Sequence, residues 1–199
     1  MIPVQAKPEP SSFDRTVRQP GLVFLKRTPS PTVAQWRGRE YWRNCLHELH
    51  EVYDGICAYC AHWIPCDTGN ASVDHFLPKS TRPDLAYEWS NFRLAAARYN
   101  SRKRDRLVCD PFTLSTESFY LDFNSRLIRP NPQLSYEILS LLRETIDYLG
   151  LNEELSIRGR EHWIAPYVRG EITLEHLRKK APFIAYELTR QGLTDKLRA

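Results

Sequence analysis

The sequence contains no apolar run long enough to cross a bilayer, and residues 1–10 lack the apolar stretch of a secretory signal. Internal repeats and low-complexity runs are absent as well. The five cysteines are an odd number, which favours a reducing compartment over a disulfide framework. We therefore expect a cytoplasmic protein with no membrane association.

The sequence also lacks a large net charge. The net formal charge is only +4 over 199 residues. Such a balance permits a polyanionic partner without requiring one, so local clusters of basic residues are more informative than the total. The hydrophobic fraction of 42% is enough for a real core. The length suits one compact domain, or a small domain with a helical extension.

Residues 1–37 are predicted to form an extended N-terminal arm. Six prolines occur before residue 32, and each prolyl ring fixes φ and removes a hydrogen-bond donor. We therefore expect an arm without a helix. Apolar residues such as Phe13 and Leu25 predict that it wraps the domain as a structural strap.

Residues 38–112 are predicted to form the core of an α+β fold. Apolar residues recur at helical spacing between positions 42 and 52, and Gly55 supplies a stop. Short strands are expected at residues 73–76 and 89–94, followed by a helix at residues 94–103, which together make a ββα unit. Residues 113–199 are predicted to be a hairpin and a mainly helical region packed on this core.

Cys57 and Cys60 form a CxxC pair, which is half of a structural zinc site. No second CxxC or HxxxH follows. If zinc is bound, the remaining ligands would come from Cys66, Cys109 or His62. The alternative is that these thiols only pack in the core.

Four polar residues in the centre of the chain suit a one-metal phosphodiesterase. Asp74 offers a carboxylate oxygen and Asn100 an amide oxygen, the ligands that Mg²⁺ prefers. His75 carries an imidazole suited to take a proton from water. Since neighbours on a strand point to opposite faces, Asp74 and His75 can share a site only if the strand ends or bends there. Asn91 is expected to hold the adjacent loop through backbone hydrogen bonds.

A basic cluster follows these residues. A cluster of this kind is typical of phosphate contacts, although alone it would more simply be a solvated helix face. Beside a metal site it favours binding to the nucleic-acid backbone. The predicted nucleic-acid-binding residues are Lys79, Arg98, Arg102, Lys103 and Arg104, with the basic residues of the helix on its exposed side.

The order of these blocks resembles the HNH endonuclease family, which has a ββα-metal fold. The resemblance covers residues 56–110 and rests on the CxYC pair, the block DHFLPKS at residues 74–80, the block WSNFRL at residues 89–94 and the block NSRKRD at residues 100–105. It is closest to a bacterial branch in which several members accompany ATPases in anti-phage defence.

The resemblance implies an endonuclease that hydrolyses DNA to a 5′-phosphate and a 3′-hydroxyl. It implies Asp74 and Asn100 as ligands of Mg²⁺, or of Mn²⁺ or Ni²⁺, with His75 as general base and Asn91 as the central structural asparagine. It also implies an ATPase partner. Many relatives carry a second cysteine pair just before the final asparagine, where this sequence has residues AAARY at positions 95–99.

Two other interpretations follow from the same residues. A non-catalytic module that binds nucleic acid or docks a partner would keep the fold without turnover. A zinc-binding regulator would be built on Cys57 and Cys60.

Overall fold

The computed structural model describes residues 1–197, in two compact units. The first unit comprises Gln5–Gly55 and Ile64–Leu107. The second comprises Met1–Val4, Ile56–Trp63 and the described residues from Val108 onward. Helices and small antiparallel sheets occur together, which confirms the predicted α+β class.

The first unit is built around one β-hairpin. Its elements, in chain order, are α1 (Gln19–Arg27), α2 (Leu46–Val52), β1 (Ala71–His75), β2 (Phe92–Ala96) and α3 (Ala97–Lys103). In the antiparallel register Asp74 lies opposite Arg93 and His75 lies opposite Phe92. The predicted strand–strand–helix order is therefore present, although residues 94–96 belong to β2 rather than to the helix.

The prediction of an arm without a helix is wrong. A π-helical turn, Asp14–Arg18, leads directly into α1. Of the prolines in this region, Pro20 alone lies inside the helix, near the start of α1, where a missing N–H costs little. The others flank the helix, so they limit its length without preventing it.

Aromatic side chains form much of the core of the first unit. Phe13 packs edge-to-face against Trp89 and Phe92, with ring centroids 5.4 and 5.8 Å apart. Gly21 of α1 lies directly on the Tyr87 ring, because a Cβ added there would come within 2.2 Å of that ring. The N-terminal segment is thus an integral layer of this unit.

The second unit contains a short hairpin and four helices. These are β3 (Phe119–Leu121), β4 (Ile128–Pro130), α4 (Tyr136–Leu149), α5 (Glu154–Val168), α6 (Leu174–Lys180) and α7 (Pro182–Arg190). Gly150 ends α4 in the left-handed conformation, with φ of 63°. Glu187 of α7 is fully buried and accepts hydrogen bonds from the Leu121 backbone and the Arg190 guanidinium.

Among the helices of residues 1–197, none combines the length and the apolar character needed to cross a membrane.

Candidate functional site

Asp74 is held in a buried ion pair beneath α3. Its side chain is 2% exposed, and its Oδ1 lies 3.3 Å from the Nζ of Lys103, which is 0% exposed. The same ammonium donates to the backbone carbonyl of His75 at 2.8 Å. A carboxylate oxygen and a carbonyl oxygen therefore already bind a positive charge at this point.

Asn100 lies on the same side of the hairpin as Asp74. Its Nδ2 donates to the Ser72 hydroxyl and to the Val73 carbonyl, both at 3.1 Å. Asn100 and Lys103 are three residues apart on α3 and so share a face of the helix. Ser72 and Asp74 likewise share a face of β1. The structure thus brings the two predicted metal ligands to one face.

His75 occupies the other face of the hairpin. Its ring lies edge-on to Trp42, with centroids 4.7 Å apart, and edge-on to Phe92 at 5.3 Å. Its Nε2 lies 2.9 Å from the Ala86 carbonyl. Because a carbonyl only accepts, Nε2 carries the proton and Nδ1 keeps its lone pair. β1 ends at His75. The imidazole and the Asp74 carboxylate can therefore approach each other only at the end of the strand.

Burial lowers the pKa of His75 from 6.5 to about 3. The hydrogen bond to Ala86 acts in the opposite direction, and the positive charges of Lys79 and Lys103 lower the pKa further. The imidazole is therefore neutral at pH 7, as a proton acceptor must be.

Asn91 makes the backbone hydrogen bonds expected of a residue that holds the loop between the strands. Its Oδ1 accepts from the Leu77 N–H at 2.8 Å. Its Nδ2 donates to the carbonyls of Leu77 and Leu85, at 3.0 and 3.2 Å. Since Ala86 follows Leu85, these bonds also fix the carbonyl that holds the His75 ring.

The predicted nucleic-acid-binding residues are placed differently from one another. Arg104 is exposed, and the Arg98 guanidinium lies 5.9 Å from the Tyr99 ring. The basic residues of the helix were expected on its exposed side. Instead, Arg98 and Arg102 are half-buried, and Lys103 is buried against Asp74.

Lys79 lines a cleft that the sequence did not suggest. Its Nζ lies 5.4 Å from the centre of the Trp42 ring and 6.0 Å from that of Trp36. The cleft has a volume of about 570 Å³. Arg37 and Arg43 also line it, together with the carboxylates Glu40 and Asp105. The available signal was the alternation of tryptophan and arginine over residues 36–43, which was divided between the predicted arm and the predicted core.

Cys57 and Cys60 lie in the second unit, within a tight turn. The N–H of Ala61 donates to the Cys57 carbonyl at 2.9 Å, and Ala61 has a φ of 55°. Burial and contact with Cys57 raise the pKa of the Cys60 thiol. In residues 1–197, no group of three or more His, Cys, Asp or Glu side chains is placed to hold a metal ion. These residues do not assemble a four-ligand zinc site, so the zinc prediction rests on this pair alone.

Comparison with known proteins identifies a weak relative but does not show a family. No protein-family model matches the chain. Over 95 residues the chain is 28% identical to the Septu protein PtuB of Bacillus thuringiensis, a match that covers 41% of this chain. It spans 37% of the length of that protein.

Proposed function

We propose that this protein is a metal-dependent endonuclease of the HNH type that hydrolyses phosphodiester bonds of DNA. The observation that carries the proposal is the convergence of Asp74 and Asn100 on one face of the hairpin, at the end of the strand that bears His75. Hydrolysis of a phosphodiester requires a site for positive charge and a proton acceptor. Asp74 and Asn100 would supply the first, and His75, on the other face at the end of β1, would supply the second.

The residues beside Asp74 fit a hard divalent cation. The Lys103 ammonium stands where such a cation would bind, in contact with a carboxylate oxygen and a carbonyl oxygen. Mg²⁺ prefers this oxygen chemistry and retains several waters, so few protein ligands are needed. Asp74 and Asn100 would hold the ion, which when bound would act as a Lewis acid on the phosphoryl oxygens.

His75 would accept the proton of the attacking water at Nδ1. The hydrogen bond from Nε2 to the Ala86 carbonyl selects this tautomer. Asn91 acts indirectly, by fixing the loop that contains Ala86. It is therefore a positioning residue.

The cleft lined by Lys79, Arg37 and Arg43 is the proposed path for the nucleic-acid backbone. Its floor includes Trp42, whose ring contacts His75. Basic side chains around a groove neutralise phosphates in a salt-dependent manner. Replacing all three cations by glutamine should weaken DNA binding and flatten its dependence on salt concentration, as measured by fluorescence anisotropy.

We further propose a role in phage defence together with an ATPase partner. The resemblance to a defence-associated HNH branch implies this role, and the similarity to a Septu protein supports it.

The test is plasmid cleavage in Mg²⁺, Mn²⁺ and Ni²⁺ by the full chain and three variants. His75→Ala should lose cleavage by about a hundredfold or more, the range for a lost general base. Asp74→Asn should also lose cleavage, because it removes the carboxylate proposed to hold the metal ion. His47→Ala is the matched control, because His47 is exposed on α2 and pairs only across one turn with Glu51. Cleavage by His75→Ala at the parent rate would remove His75 as the base.

A non-catalytic binding module is the second candidate. The observation in its favour is the burial of His75, which is only 8% exposed. A pure binder would shift DNA on a gel and leave it intact in all three metals.

A further inference from the structure

We propose that Lys103 is a resident cation that competes with the divalent ion for the oxygens around Asp74. In this role it sets how tightly the site takes up metal. The inference rests on the metal site of the proposed function and adds to it a residue that the metal must displace.

The position of Lys103 supports this role. Its Nζ contacts Asp74 Oδ1 at 3.3 Å and the His75 carbonyl at 2.8 Å, and the side chain is 0% exposed. Both contacts are oxygens of the kinds that bind Mg²⁺ and Mn²⁺ in proteins. The ammonium is therefore a tethered substitute for a metal ion.

Charge balance explains why a lysine is buried here. Asp74 is 2% exposed, and a buried carboxylate without a counterion is strongly destabilising. Arg93, which lies opposite Asp74 in the hairpin register, adds a second positive charge close to Lys103. Lys103 contributes positive charge to this carboxylate when no metal is bound.

An ammonium and a divalent cation cannot share one carboxylate oxygen at contact distance, because like charges repel strongly in a buried site. Metal uptake therefore requires Lys103 to withdraw. Lys103 is the last residue of α3, and the next residue, Arg104, leaves the helix with a φ of 50°. The four-carbon stem of lysine is flexible, and we propose that it withdraws at this helix end.

The experiment is calorimetric titration of the full chain with Mn²⁺ alone. Lys103→Met removes the competing charge. Because Mn²⁺ then no longer has to displace the Lys103–Asp74 pair, the affinity for Mn²⁺ should rise about tenfold or more. Lys103→Gln removes the same charge but keeps a side chain that can donate to the His75 carbonyl. Arg106→Gln is the control, since it loses one positive charge from an exposed residue nearby and should leave the affinity unchanged.

Thermal unfolding gives a second readout. Lys103→Met should melt below the parent without metal, because Asp74 loses the buried ion pair with Lys103, and saturating Mn²⁺ should restore the melting temperature. If both variants are unfolded without metal, Mn²⁺ should refold them as seen by circular dichroism. Failure of Mn²⁺ to do so overturns the proposal.

The proposal is also overturned if both Lys103 variants are folded and bind Mn²⁺ no more tightly than the parent. Asp74→Asn separates this failure from failure of the proposed function. If the parent binds Mn²⁺ and Asp74→Asn does not, unchanged affinity in the Lys103 variants disproves only the competition. If Asp74→Asn binds as well as the parent, the metal site itself is disproved, and the competition with it.

Discussion

Replacing Asn91 by alanine should loosen the loop that connects the two strands of the first unit. The side chain is 4% exposed and makes three hydrogen bonds to backbone groups of Leu77 and Leu85. Each such bond contributes about 1 kcal/mol net, and a donor left unsatisfied adds to the loss. We expect the free energy of unfolding to fall by about 2–4 kcal/mol.

Two assays measure this effect. Urea unfolding gives the global change, and amide hydrogen exchange at Leu77 reports the local one, because that N–H donates to Asn91 Oδ1. Asn44→Ala is the matched control, since Asn44 is exposed and makes a single bond to the Thr16 carbonyl. It should cost about 0.5 kcal/mol.

Asn91→Asp sharpens the argument. It keeps an acceptor for the Leu77 N–H but turns the donor into a carboxylate oxygen that faces two carbonyls. At neutral pH we expect it to be at least as unstable as Asn91→Ala. A loss below about 1 kcal/mol in Asn91→Ala, with unchanged exchange at Leu77, would refute the proposed role of this side chain.

Two further predictions concern packing and pH. Gly21→Ala should lower the free energy of unfolding by about 2 kcal/mol or more, because its Cβ would lie 2.2 Å from the Tyr87 ring. Gly38→Ala should lower it by only about 1 kcal/mol, since Gly38 has a φ of 73° and open space around it. Equal melting temperatures for the two variants would contradict this difference. His62 and His75 have pKa values lowered to about 3, chiefly by burial, from 6.5. Below pH 6.5 the unfolded state therefore binds more protons, and the free energy of unfolding should fall by up to about 1.4 kcal/mol per pH unit for each histidine. Urea titrations at pH 7, 6 and 5 measure the slope. His75→Gln should remove the contribution of one histidine from it. Constant stability over this range would contradict the buried neutral state.

Much of the fold could be predicted where local pattern and tertiary packing agree. The hairpin strands, the helix before them and the helix that ends at Gly150 follow from apolar spacing and stop residues. The helix in the N-terminal segment was missed because the count of prolines outweighed their positions. Pro20 lies near the start of α1, where a helix tolerates proline.

The site was predictable as a set of residues but not as a set of contacts. The order of Asp74, His75, Asn91 and Asn100 in the sequence does not say which face of the hairpin each side chain takes. The burial of Lys103 was available from helix geometry, because it lies three residues after Asn100 and so shares its face. Trp42 could not be predicted as a neighbour of His75, since their contact depends on how a distant segment packs.

The interrupted path of the chain has a practical consequence for dissecting the protein. The segment Ile56–Trp63 splits the first unit in sequence, yet it belongs to the second. Within that unit the Trp63 N–H donates to the carbonyl of Lys180. A fragment ending at Leu107 would retain the β1–β2 hairpin but lose the residues that bury Cys57 and Tyr59, both 0% exposed in the intact chain. Such a fragment would expose the Cys57 and Cys60 thiols and apolar residues of the same segment. Oxidation or aggregation of the fragment would therefore not show whether the hairpin can fold without the second unit.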